Sequence, residues 1–256
     1  MTRAFTRYAL PLLVVLVMLA VWELASNAAH SPYFPPLSRV LGSFVELWFS
    51  AALFEQAMPS FIRVGIGFLA ALVIGVAVGS LIGLSSLFRT LTKAQFEFIR
   101  AIPPVLLIPP SILLLGAGDG MKVFVIALSA VWPILLAAVD GVRAVEEGRI
   151  DAMRVFGLGQ FQRFFWVVLP SAVPRIWSGV RAAVPIALVV MVASDYYASS
   201  DGIGYMISQT ATRFRFDEMW ASVILLGLVG AAINIGVVRI GHWFDKAFGE
   251  FGSVSI

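Results

Sequence analysis

The chain follows neither the two-residue alternation of a half-buried strand nor the narrow apolar stripe of a soluble helix. Its apolar positions instead fall in long unbroken runs: Tyr8 to Trp22, Val64 to Phe88, Ile102 to Gly116, Val123 to Val139, Ala182 to Ser194 and Met219 to Val238. With their flanks, these runs approach the ~20 residues that a helix needs to cross a hydrocarbon core. The pattern predicts an all-α integral membrane protein of six transmembrane helices. Arg181 interrupts the fifth near one end, where a long side chain can reach the interface.

Shorter patterns fill the gaps. Ser31 to Ser50 opens with three prolines, which favour extended chain, and then offers Ser38 as a helix N-cap. Val40, Leu41, Phe44, Val45 and Trp48 share one face of the helix that follows, with Arg39, Ser43 and Glu46 opposite, so an amphipathic helix is expected along the outer surface. The second span repeats glycine at Gly75, Gly79 and Gly83, a spacing that lets helices approach closely within one chain or between two. Pro103, Pro104, Pro109 and Pro110 disrupt the third span. Broken backbone at membrane depth fits either a helix lining a pathway or kinks that neighbours bury.

The composition agrees. Of 256 residues, 60% are hydrophobic and 13% charged, far from the balance of a soluble domain. Arg3 and Arg7 precede the first span, Arg89, Lys93 and Arg100 follow the second, and Arg143, Arg149, Arg154, Arg163 and Arg175 follow the fourth. Arg239 and Lys246 come after the sixth. The alternate gaps hold fewer cations: Arg39, Arg63, Lys122, Arg213 and Arg215. Both termini are therefore expected in the cytoplasm. Basic loops account for the formal net charge of +3, and no nucleic-acid partner is implied. Two arginines, an apolar run and the small residues Ala25 to Ala29 also fit a cleaved signal peptide, but removing that segment would upset the charge alternation, so a retained helix is expected.

Candidate chemistry is sparse. The chain has no cysteine, only His30 and His242, and no phosphate-binding loop, zinc-protease or serine-hydrolase motif. No catalytic residue, cofactor or metal is expected in it. Polar residues inside the later spans are Ser129 and Trp132 in the fourth, Ser194 and Asp195 at the end of the fifth and Asn234 in the sixth, the candidates for a translocation pathway. Asp195 has two readings, a pathway carboxylate or a group in the outer headgroup layer beside Tyr196 and Tyr197. In the outer loop, Asp201-Gly202 signals a turn and Gly204 a sharp bend or a close approach. Arg213, Phe214, Arg215 and Phe216 fit an aromatic belt or a surface that receives an acidic partner.

One segment, DAMRVFGLGQFQRFFWVVLP from Asp151 to Pro170, fits none of these uses. Ala152, Val155 and Phe156 fall on one helical face, Gly157 and Gly159 break it, and Phe161, Phe164, Phe165 and Val168 offer apolar surface afterwards. Pro170 and Pro174 are expected to stop it. Charge and apolar surface together, on a loop of about 144–174 between the fourth and fifth spans, suit docking to another protein.

Its spacing resembles the cytoplasmic motif of permease subunits of binding-protein-dependent ABC importers: Glu-Ala-Ala, three residues, Gly, nine residues, Ile-x-Leu-Pro. Here the matching positions are Asp151-Ala152-Met153, Gly157 and Val167-Val168-Leu169-Pro170. AIPPVLLIPPSILLLGAGDGMKVFVIAL, FPPLSRVL and SSDGIGYMI are similar to segments of the nitrate, taurine and aliphatic-sulfonate permeases, in which Ala-Glu stands where this chain has Ser194-Asp195.

The resemblance implies a type I importer fold forming one permease domain over 1–256 in a bacterial inner membrane. It implies a second permease copy, two cytoplasmic ATPase subunits carrying ATP and Mg, a periplasmic solute-binding protein and a small-anion substrate. Asp151, Ala152, Arg154, Gly157, Leu169 and Pro170 would form the coupling contact to the ATPases. A passive facilitator is the competing reading, and it would need no docking segment.

Overall fold

The computed structural model describes residues 2–145 and 147–248. Met1, Glu146 inside the expected loop, and residues 249–256 at the end of the expected domain lie outside them. The described residues form helices joined by turns: α1 Thr2–Ala29, α2 Leu37–Trp48, α3 Met58–Leu84, α4 Ser86–Arg100, α5 Ile108–Leu115, α6 Asp119–Arg143, α7 Glu147–Val155, α8 Gln160–Arg163, α9 Leu169–Ala198, α10 Ile203–Thr212 and α11 Phe216–Phe248. Five stretches are long and apolar enough to cross a membrane. A sixth arises if α4 and the Pro104–Leu115 segment, bent by 90° at their junction, count as one span.

That bend is the proline-rich third span. Pro104 opens a short 3-10 turn and Pro109 lies in the first turn of α5, where a missing N–H leaves no hydrogen bond unmade. The prolines therefore start helices here rather than kink one. α2 also differs from expectation: its N-cap is Pro36, which has no side-chain acceptor. The Glu23 carboxylate of α1 takes the role, accepting from the Ser38 N–H at 3.0 Å and the Ser38 hydroxyl at 2.9 Å.

The packing centre is α3, α6 and α9, where glycines replace side chains at the crossings. A Cβ on Gly67 would fall 2.8 Å from Ile126, on Gly75 2.9 Å from Ile134, on Gly79 2.5 Å from the Leu135 carbonyl and on Gly83 2.8 Å from Val142. On α9, a Cβ at Gly179 would meet Ala137 at 2.5 Å. The repeat on α3 is thus used within the chain, against α6. Close backbone approach of this kind replaces the hydrophobic drive that lipid does not supply.

At the Asp119 end of this bundle, charge is gathered and neutralised. Arg63 of α3 is buried and meets three carboxylates: Asp119 at 2.7 Å, Asp195 at 3.1 Å and Asp201 at 2.6 Å. Lys122, also buried, donates to the Ser199 hydroxyl at 2.7 Å and lies 3.5 Å from Asp119. Ser60 donates to Asp195 at 2.5 Å and accepts the Ile203 N–H at 2.9 Å, which docks the start of α10 on α3. Gly202, at φ +107°, has no room for a side chain against Asp195, and a Cβ on Gly204 would overlap the Val192 carbonyl. Close approach is therefore what Gly204 serves. Burial pushes the Asp201 carboxyl up, but the hydrogen bond and charge of Arg63, with help from Ser199 and Lys122, outweigh it and hold the group below its ordinary value.

Two outcomes follow from this packing. Gly79→Leu should force α3 from α6 and cost at least the ~1–3 kcal/mol typical of overpacking, whereas Gly65→Ala, which faces open space, should be neutral; thermal unfolding in detergent compares them. Because Asp201 is depressed, its contribution to stability is present above the ordinary carboxylate range and lost as pH falls through the lowered folded value. Protection against hydrogen exchange at the start of α10, taken relative to the intrinsic rate at each pH, should therefore fall on acidification, and Asp201→Asn should flatten that response.

Candidate functional site

At the Arg143 end, the segment from Asp151 to Pro170 is built as an exposed arm on a rigid post. α7 ends in a left-handed glycine cap: the Gly157 N–H donates to the Arg154 carbonyl at 3.0 Å and the Leu158 N–H to the Met153 carbonyl at 3.1 Å, with Gly157 at φ +73°. No atom lies within 4 Å of a Cβ built on Gly157, so the turn itself, and not crowding, calls for glycine. Asp151 and Arg154 pair at 2.7 Å on the exposed surface of α7, and Ala152 is exposed between them. Val155, Phe156, Phe161 and Trp166 remain at least 78% exposed, an amount of free apolar surface that implies a partner or lipid.

The arm is anchored by Ile150, Phe164, Val168 and Leu169, which pack with Ala138, Val142, Val145, Ala172 and Ile176. Contrary to expectation, Pro170 and Pro174 do not stop the segment. α8 continues through a wide π turn, Phe164–Val168, into α9, making one helical run from Gln160 to Ala198. Pro170 lies inside this run, directly after the wide turn, and leaves the carbonyl one turn earlier without its helical donor; Leu169 and Pro170 are half-buried there.

The second feature is an open cleft of about 450 Å³ between the end of α4, the Pro104–Leu107 turn, α6 and α9. Ser129 and Trp132 line it, with Arg100, Val105, Pro185 and Val189. Trp132 is held edge-on against Phe96, ring centres 5.5 Å apart, and the Ser129 hydroxyl donates to the Val125 carbonyl at 2.7 Å. Pro133 and Pro185 lie in the cleft wall, and each deprives the carbonyl four residues earlier, Ser129 and Arg181, of its helical donor. Free carbonyls at membrane depth suit a wall that meets water. A further hollow of about 550 Å³ shares Val105, Pro185 and Val189 and extends along α9 to Tyr196 and Tyr197.

The other pathway candidates lie elsewhere. Ser194 is buried and donates to the Met191 carbonyl at 2.9 Å. Asp195 is wholly buried in the Arg63 cluster, while its neighbour Tyr196 is exposed on the groove, because adjacent helical residues point ~100° apart. Asn234 is exposed on α11 and lines neither hollow. The Arg63 cluster was not legible as a unit: its partners lie between 56 and 138 residues from Arg63, and only the costly Asp195 hinted at it. Among the described residues, no group of His, Cys, Asp or Glu is arranged to hold a metal ion.

Comparison with known proteins agrees with this architecture. The chain is 29% identical over 245 residues to the bicarbonate transport system permease protein CmpB of Synechococcus elongatus, covering 91% of this chain and 88% of that one. It is 27% identical over 241 residues to the taurine transport system permease protein TauC of Escherichia coli, again covering 91% and 88%. It is 28% identical over 232 residues to the nitrate import permease protein NrtB of Synechocystis, covering 88% and 84%. Its fold is shared with a chain of the MetNI methionine ABC transporter in an inward-facing conformation, at a TM-score of 0.62 and 19% identity over 74% of this chain and 94% of that one. The family model described as "binding-protein-dependent transport system inner membrane component" matches residues 64–250, and the chain belongs to that family.

Proposed function

We propose that this chain is the membrane-spanning subunit of an ATP-driven importer for a small anion, and that two copies face each other across the groove between Arg100 and Tyr196. One observation carries the coupling assignment: the exposed arm from Asp151 to Trp166 has the family's docking spacing, and its second half, from Gln160, runs without a helical break through α9 to the groove wall. Asp151, Ala152, Arg154 and Gly157 present the contact surface, while Leu169 and Pro170 join it to the post. Two ATPase subunits, carrying ATP and Mg, receive this arm. When ATP draws them together, the arms move with them and α9 transmits the displacement as a rigid lever, switching the paired groove between inward and outward access.

Charge distribution supports the orientation. Arg89, Lys93, Arg143, Arg154, Arg163 and Arg175 crowd the end that bears the arm, while Arg63 and Lys122 at the opposite end are buried against carboxylates. The net positive end faces the cytoplasm with both chain termini, and the Asp119 end meets the periplasmic binding protein. The anionic substrate class rests on the relatives named for bicarbonate, taurine and nitrate. Ser129 and Trp132 line the pathway.

Gly157→Leu places a branched side chain at positive φ, at a local cost of roughly 1–2 kcal/mol, without disturbing the bundle. Both it and Asp151→Lys should shift thermal unfolding of the purified chain by a few degrees at most while lowering ATPase co-purification and solute-stimulated ATP hydrolysis several-fold. Wild-type recovery and stimulation in both variants would remove the coupling role; solute flux in liposomes without any ATPase would point to a facilitator.

A further inference from the structure

Arginine is used in two opposite ways in this molecule. Arg63 is buried and surrounded by carboxylates, whereas Arg100 and Arg181 are exposed and have no ion-pair partner among the described residues. Their depth makes that unusual. A Cβ on Gly179 of α9 would meet the Pro133 carbonyl at 2.6 Å and Ala137 at 2.5 Å, so Arg181, two residues on, lies level with the middle of α6. At 1.5 Å per residue, Pro133 is roughly 21 Å from the Asp119 end of α6 and roughly 15 Å from the Arg143 end. Arg100 lies between that level and the Arg143 end, since it lines both the cleft with Trp132, Pro133 and Leu136 and the hollow that reaches Arg143.

Arg100 lines the groove directly, and Arg181 lies one helical turn beyond its wall. Arg181, Pro185 and Val189 follow one another at four-residue spacing on the exposed face of α9, and Pro185 and Val189 are part of the groove wall. Away from the Tyr196 end the groove turns basic: next to the cleft, a hollow of about 200 Å³ is lined by Arg89, Lys93, Arg100 and Arg143, with Glu97 as the acid among its lining residues. An unpaired arginine at mid-depth is costly on a helix facing lipid, which favours a wet, shared interior for both residues.

We infer that Arg100 and Arg181 form an anion-binding step midway along the groove, taking a small oxyanion, and that the second copy supplies the same pair from the opposite wall. This rests on the paired-permease reading. The guanidinium fork suits the planar or tetrahedral oxygens of a carboxylate, nitrate or sulfonate, which it can hold with two parallel hydrogen bonds. Four unpaired cations about one apolar channel would disfavour cations and give an anion a stopping place between the Tyr196 end and the basic hollow beyond. The apolar wall between Tyr196 and Arg100 offers few competing polar groups, so release depends on the pair being pulled apart as α9 moves.

Trp132 provides an internal reporter, because it lines the same cleft as Arg100. The experiment measures fluorescence quenching of the purified wild-type assembly by iodide, an anion, and by acrylamide, which is neutral; subtracting the Trp132→Phe protein isolates the Trp132 signal. Iodide quenching of Trp132 should saturate and be competed by nitrate. Arg100→Gln combined with Arg181→Gln should weaken it at least several-fold while acrylamide quenching stays the same, and Arg181→Lys should keep most of it. Non-saturating iodide quenching, or quenching unchanged in the double variant, would overturn the site. Saturable quenching lost in the double variant from a chain that recovers no ATPase would keep the anion step and remove the importer reading instead.

Discussion

The absence of side chains at the helix crossings is the constraint from which the rest of this structure follows. Lipid tails are as apolar as leucine, so α3, α6 and α9 gain nothing by hiding apolar surface from them, and must gain by touching. Glycines on α3 and Gly179 on α9 bring backbone against backbone, with a Cβ clearance at Gly79 of only 2.5 Å to a carbonyl oxygen. That contact fixes the rotation of α9. Once Gly179, Val180 and Ala183 are turned toward α6, the face bearing Arg181, Pro185, Val189 and Tyr196 must point away from the core.

Charge is then sorted by whether it has a partner. At one end, two cations and three carboxylates close on one another around Arg63, and removing Arg63 would leave the wholly buried Asp195 without its ion pair, a loss of about 3–5 kcal/mol in comparable pairs. The cluster ties α3, α6, α9 and the start of α10 together at that end. At mid-depth the arginines are left open, and at the far end they crowd beside an exposed arm. A permease that moves an anion needs its fixed cations unpaired along the route and its structural cations neutralised elsewhere, and this distribution supports that reading.

The arm has a mechanical character of its own. Its tip is exposed and capped by a single left-handed glycine, while its root is packed and continuous with the helix that walls the groove. In the proposed cycle, force applied at the tip is not absorbed at a hinge near Pro170, because no break occurs there: the helical run continues from Gln160 through α9. The break falls in the proline-rich third span instead, where the helix ends at Arg100 and restarts at Ile108 after the Pro104–Leu107 turn.

Much of this was legible in the sequence. Run length established the membrane class, glycine spacing marked the close crossings, and the Asp151 to Pro170 spacing singled out the arm, because each is a local pattern of a few turns or less. Ser129 and Trp132 were also legible as polar residues in an apolar span, and both line the cleft. Other features required distance relations that no local pattern encodes. Glu23 as the cap of α2, Arg63 as the partner of Asp195, and Pro170 inside a continuous helix all depend on groups brought together by the helix crossings. The sequence determined which residues could not remain alone in lipid; the tertiary structure decided which found a partner inside the chain and which were left facing a shared groove, because burial beside an opposite charge is a property of the packed helices and not of any one of them.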